Sequence, residues 1–137
     1  MLTDDELAGI CELFGALTRG ELDRARSELA FRQGREPDEE GIEAAIEAYA
    51  LVEFDGLMVA GPTAFPALPE GAGDLPHILD VPEREVDREA LGEYVLARLG
   101  DEEFEVAREV SYDVEAWAPV DASDLRERES GREQERL

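Results

Sequence analysis

An α+β fold is predicted for this chain from three observations. Two Thr-x-x-Glu boxes, at Thr3–Glu6 and Thr18–Glu21, head segments whose apolar residues recur at three- and four-residue steps. An Asp-Gly pair, Asp55-Gly56, separates two short apolar runs of strand character. Five of the seven prolines fall between Gly61 and Pro82, where regular periodicity stops. The expected order is three helices, a β-hairpin, a proline-rich arm and a small helix–strand C-terminal part.

The first helix follows Thr3 as N-cap, and its face is Leu7, Ile10, Cys11, Phe14 and Leu17. Acidic residues in its first turn suit the helix dipole. The second helix starts at Thr18 almost without a linker, and it buries Leu22, Ala25, Leu29 and either Ala30 or Phe31. Gln33-Gly34 ends it, the glycine taking a left-handed cap. The third helix spans Asp38 to Ala50. Asp38 is its N-cap, Ile42, Ala45, Ile46 and Tyr49 form its inner face, and Glu39, Glu40, Glu43 and Glu47 form its outer face.

Leu51 to Phe54 and Leu57 to Ala60 then read as a hairpin, because a type I′ turn needs two residues at positive φ and Asp-Gly supplies them. The register sets Phe54 against Leu57 and Val52 against Val59. These four share the face expected to be buried, which leaves Met58 and Ala60 on the open one. Gly61 to Pro82 is too apolar for a free linker, with Phe65, Leu68, Leu75, Ile78 and Leu79, and too rich in proline for a helix. It reads as an extended arm packed along the first module. A fourth helix runs from Asp87 as N-cap to Gly100, with Leu91, Val95 and Leu99 as its stripe and Val86 stapled to Leu91. The segment 104–117 is ambiguous: Val110, Tyr112, Val114 and Ala116 alternate with polar residues, which favours a strand, and Phe104 to Arg108 either extends that strand or forms a helical turn. Ser123 to Leu137 is a charged tail, either a short helix or disordered.

Three helices followed by a hairpin is the ground plan of a winged helix. Residues 1–66 therefore read as a winged-helix-like module and 67–86 as the arm. Residues 87–120 read as a helix plus strand packed on the module, and 121–137 as the tail.

Charge narrows the setting. The chain has 36 acidic residues against 13 basic ones, a formal net charge of −23, and every basic residue is arginine. Such an excess repels itself in dilute buffer. At molar salt the Debye length falls to about 3 Å and the repulsion is nearly screened. The composition points to a salt-in halophile. The N-terminus lacks the basic region and apolar core of a signal peptide, and no apolar run approaches the roughly 20 residues of a membrane span, so a cytoplasmic location is expected.

No catalytic, cofactor or metal motif stands out. The chain has no phosphate-binding glycine loop, no nucleophile elbow, no Cys/His spacing and no calcium-loop spacing. Cys11 reads as a buried core thiol and His77 as a solvent-facing or capping histidine. The expectation is a non-enzymatic protein.

The phrases ALVEFDGL at 50–57, GPTAFP at 61–66, DLPHILDVP at 74–82 and YDVEAW at 112–117 resemble a haloarchaeal family of uncharacterised proteins, and the resemblance covers most of the chain. It implies a halophilic archaeal origin and no particular activity.

Two functional classes follow. The favoured one is a protein-interaction or assembly-adaptor module, with candidate partner contacts at Met58, Ala60, Phe65 and Trp117, binding another protein or a second copy. The alternative is a DNA-binding regulator, with candidate phosphate contacts at Arg19, Arg24, Arg26, Arg32 and Arg35 on the second helix and its exit. Against it, winged helices present the third helix to the major groove, and here the stretch Glu36 to Ala50 that contains it carries Glu36, Asp38, Glu39, Glu40, Glu43 and Glu47 and no base.

Overall fold

The structure, a computed structural model, describes residues 2–36 and 41–128. It is α+β, with helices and one two-stranded antiparallel sheet. The chain divides into two compact units, Met1–Val86 and Asp87–Leu137.

In the first unit, α1 (Asp4–Phe14) and α2 (Arg19–Arg32) each start on a complete capping box. Thr3 Oγ1 accepts from Glu6 N–H while Glu6 returns to Thr3 N–H, and Thr18 and Glu21 do the same. Each box satisfies two amide donors that the first helical turn leaves without partners. At the far end of α2, Gly34 N–H donates to Phe31 C=O and Arg35 N–H to Ala30 C=O, with Gly34 at φ 68°. This is a Schellman motif, and it closes the helix where the sequence placed its stop.

The helix α3 spans only Ile42–Glu47, capped by Gly41 at φ 102°. The expected N-cap Asp38 and the outer residues Glu39 and Glu40 lie outside the described residues. At the other end the helix stops short of Ala50, because the buried Tyr49 turns left-handed at φ 63° and redirects the chain into the sheet.

The strands β1 (Leu51–Phe54) and β2 (Leu57–Ala60) pair in the expected register, with Phe54 opposite Leu57 and Val52 opposite Val59. Asp55 and Gly56 take φ 54° and 77°, as the tight turn requires. Leu17, between α1 and α2, adds a third edge. Its N–H and C=O exchange hydrogen bonds with Met58 across the outer side of β2, at 3.1 and 2.6 Å.

The inward face of the hairpin reverses expectation. Leu51, Met58 and Ala60 join the core with Leu7, Ile10, Cys11, Phe14, Leu22 and Leu29. Both hairpin faces are apolar near the root, since Val52 and Val59 are buried as well, so alternation alone cannot choose between them. Packing of α1 on β2 makes the choice. The one charge on the core-side face, Glu53, sits near the turn and reaches out to Arg19.

Residues 61–86 hold a correction too. A 3-10 turn at Ala72–Asp74 runs into a short helix, α4 (Leu75–Ile78), where the sequence excluded helix. Pro76 is tolerated because it lies in the first turn, where its missing N–H costs no helical bond. Ala72, Leu75 and Leu79 belong to the unit's core. Two backbone approaches bind the segment to α1. Ala67 N–H donates to Asp5 C=O, and Arg84 N–H donates to Phe14 C=O. At Gly9 the segment lies so close that an added Cβ would stand 2.1 Å from Ala67 C=O.

The second unit contains α5 (Arg88–Leu99) and α6 (Phe104–Trp117), packed against each other. Asp87 caps α5 by accepting from Glu89 and Ala90 N–H, as expected. The segment 104–117 is a helix and not the predicted strand. Its alternation was half of a helical stripe: Ala107, Val110, Ser111 and Val114 are buried, whereas Tyr112 and Ala116 are exposed. Gly92 on α5 has the segment at Ala118 and Val120 directly over it, within 3.0 Å of where a Cβ would be. Residues 123–128 are helical, and 129–137 lie outside the described residues.

Candidate functional site

The helix α2 carries the chain's main concentration of arginine, and its surface is the first place to look for a site. Its periodicity turns Leu22, Ala25, Leu29 and Ala30 inward. Phe31 is 81% exposed. Helical arithmetic places it there: nine residues past Leu22, at about 100° each, is half a turn round the axis. That signal was available in the sequence, and it selects Ala30 over Phe31 for the buried stripe. The same arithmetic brings Arg26 close to the buried stripe, and Arg26 is only 4% exposed, beside Asp23 at 3.3 Å.

Of the remaining cations of the basic stretch, Arg19 and Arg32 are engaged by carboxylates. Arg19 forms ion pairs with Glu43 at 2.5 Å and Glu53 at 2.8 Å, which join the start of α2 to α3 and β1. Those two carboxylates hold the Arg19 pKa above its usual value. Arg32 lies 3.4 Å from Glu28 and 3.5 Å from Asp74. Arg35 donates to the Gln33 side chain at 2.6 Å. Arg24 is exposed. The five arginines therefore do not form one phosphate-facing array. Arg19 faces the hairpin side, Arg26 is enclosed, and Arg24, Arg32 and Arg35 remain towards solvent.

The candidate partner contacts separate in the same way. Met58 is fully buried and Ala60 is 8% exposed, so neither offers an open hairpin face. Phe65 is 83% exposed, its N–H held by the Asp5 carboxylate at 3.0 Å. Trp117 ends α6 in the second unit, half-buried, with the Arg88 guanidinium 4.7 Å above its ring and donating to its C=O at 2.7 Å. Within the first unit, Met58 and Ala60 belong to the core while Phe65 stands in water, so these three make no common patch.

Two further networks are structural. Arg84 donates both guanidinium nitrogens to Glu21, at 2.5 and 3.1 Å, and one of them to Ala16 C=O. The Arg84 hydrogen bond, aided by the Thr18 amide, lowers the Glu21 pKa to about 2. In the second unit Arg126 makes a two-pronged pair with Glu115 at 2.8 and 3.2 Å, bonds the Ser111 hydroxyl, and lies 4.3 Å over the Tyr112 ring. Arg126 and the Ala122 amide together hold Glu115 below its ordinary pKa. Burial pushes the Cys11 thiol up to about 12, so it stays protonated and inert. His77 is exposed on α4.

Among the described residues, no group of three or more His, Cys, Asp or Glu is placed to hold a metal ion. Among them too, no helix is long and apolar enough to cross a membrane.

The geometry defines an acidic α+β protein that exposes Phe31 at the end of α2 and Phe65 in the segment 61–86. A protein-family model described as a family of unknown function (DUF7109) matches residues 5–134, and the chain belongs to that family. Comparison with curated proteins and with solved structures returns no match.

Proposed function

We propose that this is a cytoplasmic, salt-adapted, non-enzymatic interaction module of haloarchaeal origin, built on a winged-helix-like scaffold with residues 61–86 as a packed arm. The order helix, bridging residue, helix, helix, hairpin supports the scaffold, with Leu17 pairing to the outer side of β2. The observation that carries the functional reading is the exposure of Phe31 and Phe65, two large aromatic side chains held outward on a chain of net charge −23. Carboxylates keep such a surface hydrated, and an aromatic ring left in water there gains most by docking into a partner's pocket. The ion pairing of Arg19 and the enclosure of Arg26 weigh against phosphate binding by this stretch, because a paired cation must first be released.

The test is affinity capture from the native lysate in molar KCl, comparing wild type with Phe65→Ser, which touches no core. A defined protein recovered by wild type and lost with the variant is the expected result. Equal recovery by both, or no partner at all, removes the reading. A mobility shift with the chain's own upstream DNA under the same salt would replace it with the regulator.

A further inference from the structure

We propose that Asp55-Gly56 is a latent modification site: the folded turn holds it unreactive, and an episode of unfolding lets the Gly56 nitrogen close on Asp55 Cγ and convert Asp55 to isoaspartate, which weakens the hairpin on refolding. The proposal stands apart from the interaction reading.

The sequence confines this chemistry to a single peptide bond. The chain contains no asparagine, and Asp55 is its only aspartate followed by glycine. Every other aspartate precedes a residue whose side chain crowds the attacking nitrogen. Neither burial nor hydrogen bonding shields the pair. Both residues are exposed, nothing lies within 4 Å of a Cβ added at Gly56, and among the described residues Gly56 N–H donates to no group.

Conformation is what protects it. Ring closure needs the Gly56 nitrogen eclipsed with Cβ about the Cα–C bond of Asp55. Asp55 and Gly56 sit at φ 54° and 77°, the pair of a type I′ turn. Such a turn sets ψ of its first central residue near about +30°. Tetrahedral geometry at Cα then leaves the nitrogen nearly opposite Cβ, far from Cγ. Rotating it into place breaks the turn, and the register resists that rotation. Phe54 is held opposite Leu57 and Glu53 opposite Met58, and Met58 is bonded onward to the buried Leu17.

In the unfolded chain ψ is free to rotate. The Asp55 carboxyl, in its acid form, takes the Gly56 nitrogen at Cγ. The N–Cγ bond forms, the Cγ–OH bond breaks, and the hydroxyl and the amide proton leave together as water. Water then adds across either C–N bond of the cyclic imide. Opening at Cγ restores aspartate. Opening at the α-carbonyl carbon leaves the backbone running through Cβ, with the α-carboxylate as the new side chain. The net change is an isomerisation, with the water released in the first step taken up in the second. The product lengthens the backbone inside a tight turn, so the type I′ geometry is lost while the core still demands the register it set.

The test keeps the full chain at neutral pH in molar KCl, with and without denaturing urea, and samples it by digestion after glutamate. The peptide 54–70 has Asp55 as its only aspartate, so a second, isobaric chromatographic peak reports isoaspartate there. That peak should grow at least about tenfold faster in urea, since attack in the folded chain waits on local opening. Gly56→Ala in urea should slow it several-fold. After removal of urea, aged wild type should refold with a lower urea midpoint than fresh protein, a loss that Gly56→Ala aged alike does not show.

No peak in urea, or equal growth in the folded and unfolded chains, overturns the proposal. So does growth in urea undiminished by Gly56→Ala, or an aged wild type with an unaltered midpoint. None of these outcomes touches the interaction reading, which the capture experiment judges separately through Phe65.

Discussion

Glu21 serves the first unit twice. It closes the capping box at the head of α2, and it receives both prongs of Arg84, which holds the chain end of residues 61–86 at the corner between α1 and α2. The direction of its pH effect follows from its lowered pKa. The ordinary value is 4.5 and the folded value about 2, so the folded state favours the charged form. That stabilisation is complete above the ordinary value and is lost as pH falls through the folded one. Thermal melts in molar KCl at about pH 6 and about pH 2.5 check this. Wild type should lose more melting temperature between the two than Glu21→Gln, and the variant should start lower. Equal losses would mean that Glu21 titrates alike in the folded and unfolded chains. The Thr18–Glu21 box was legible in the sequence, since capping is local. Arg84 was not, because its partner is 63 residues away. Phe31 lay between these cases. Its outward direction follows from helical spacing alone, and only the attraction of assigning every phenylalanine to a core hides it.

At the scale of elements, the closeness of residues 61–86 to α1 is set by a missing side chain. At Gly9 the carbonyl of Ala67 occupies the place of a Cβ. Gly9→Ala forces backbone against backbone, which no rotamer change relieves. The expected cost is about 1–3 kcal/mol, read as a lower denaturant midpoint in molar KCl. An unchanged midpoint would show that the segment can lift from α1 freely. Two element assignments went the other way from the sequence, for a shared reason. In the segment 104–117, an i, i+2 alternation and an i, i+3, i+4 stripe share Val110 and Val114. The stripe wins because α5 offers a helical face to pack on, and the chain offers the segment no strand partner among the described residues. In the hairpin, both faces are apolar, and α1 chooses the face holding Leu51, Met58 and Ala60. A residue alternation carries two faces equally, so the choice needs a third element.

For the whole molecule, net charge is the governing quantity. At −23 over 137 residues, self-repulsion opposes compactness whenever salt cannot screen it. Dialysis from molar KCl to low salt should unfold the protein, seen as loss of helical circular dichroism, and restored salt should recover it. Retention of the full signal at low salt would sink the salt-adapted reading. By itself the sequence determined the properties that depend on near neighbours or on simple totals. These are the two capping boxes, the Schellman stop after α2, the Asp55-Gly56 turn with its register, the Asp87 cap, and the acidic excess. Each is decided within a few residues or by counting, so no distant contact can change it. Only the tertiary structure decided which hairpin face meets the core, that 104–117 is a helix, where Tyr49 bends the chain, and that Arg26 is enclosed while Phe65 stands in water. Those outcomes turn on which surface packs against which, and packing joins residues that the chain keeps far apart.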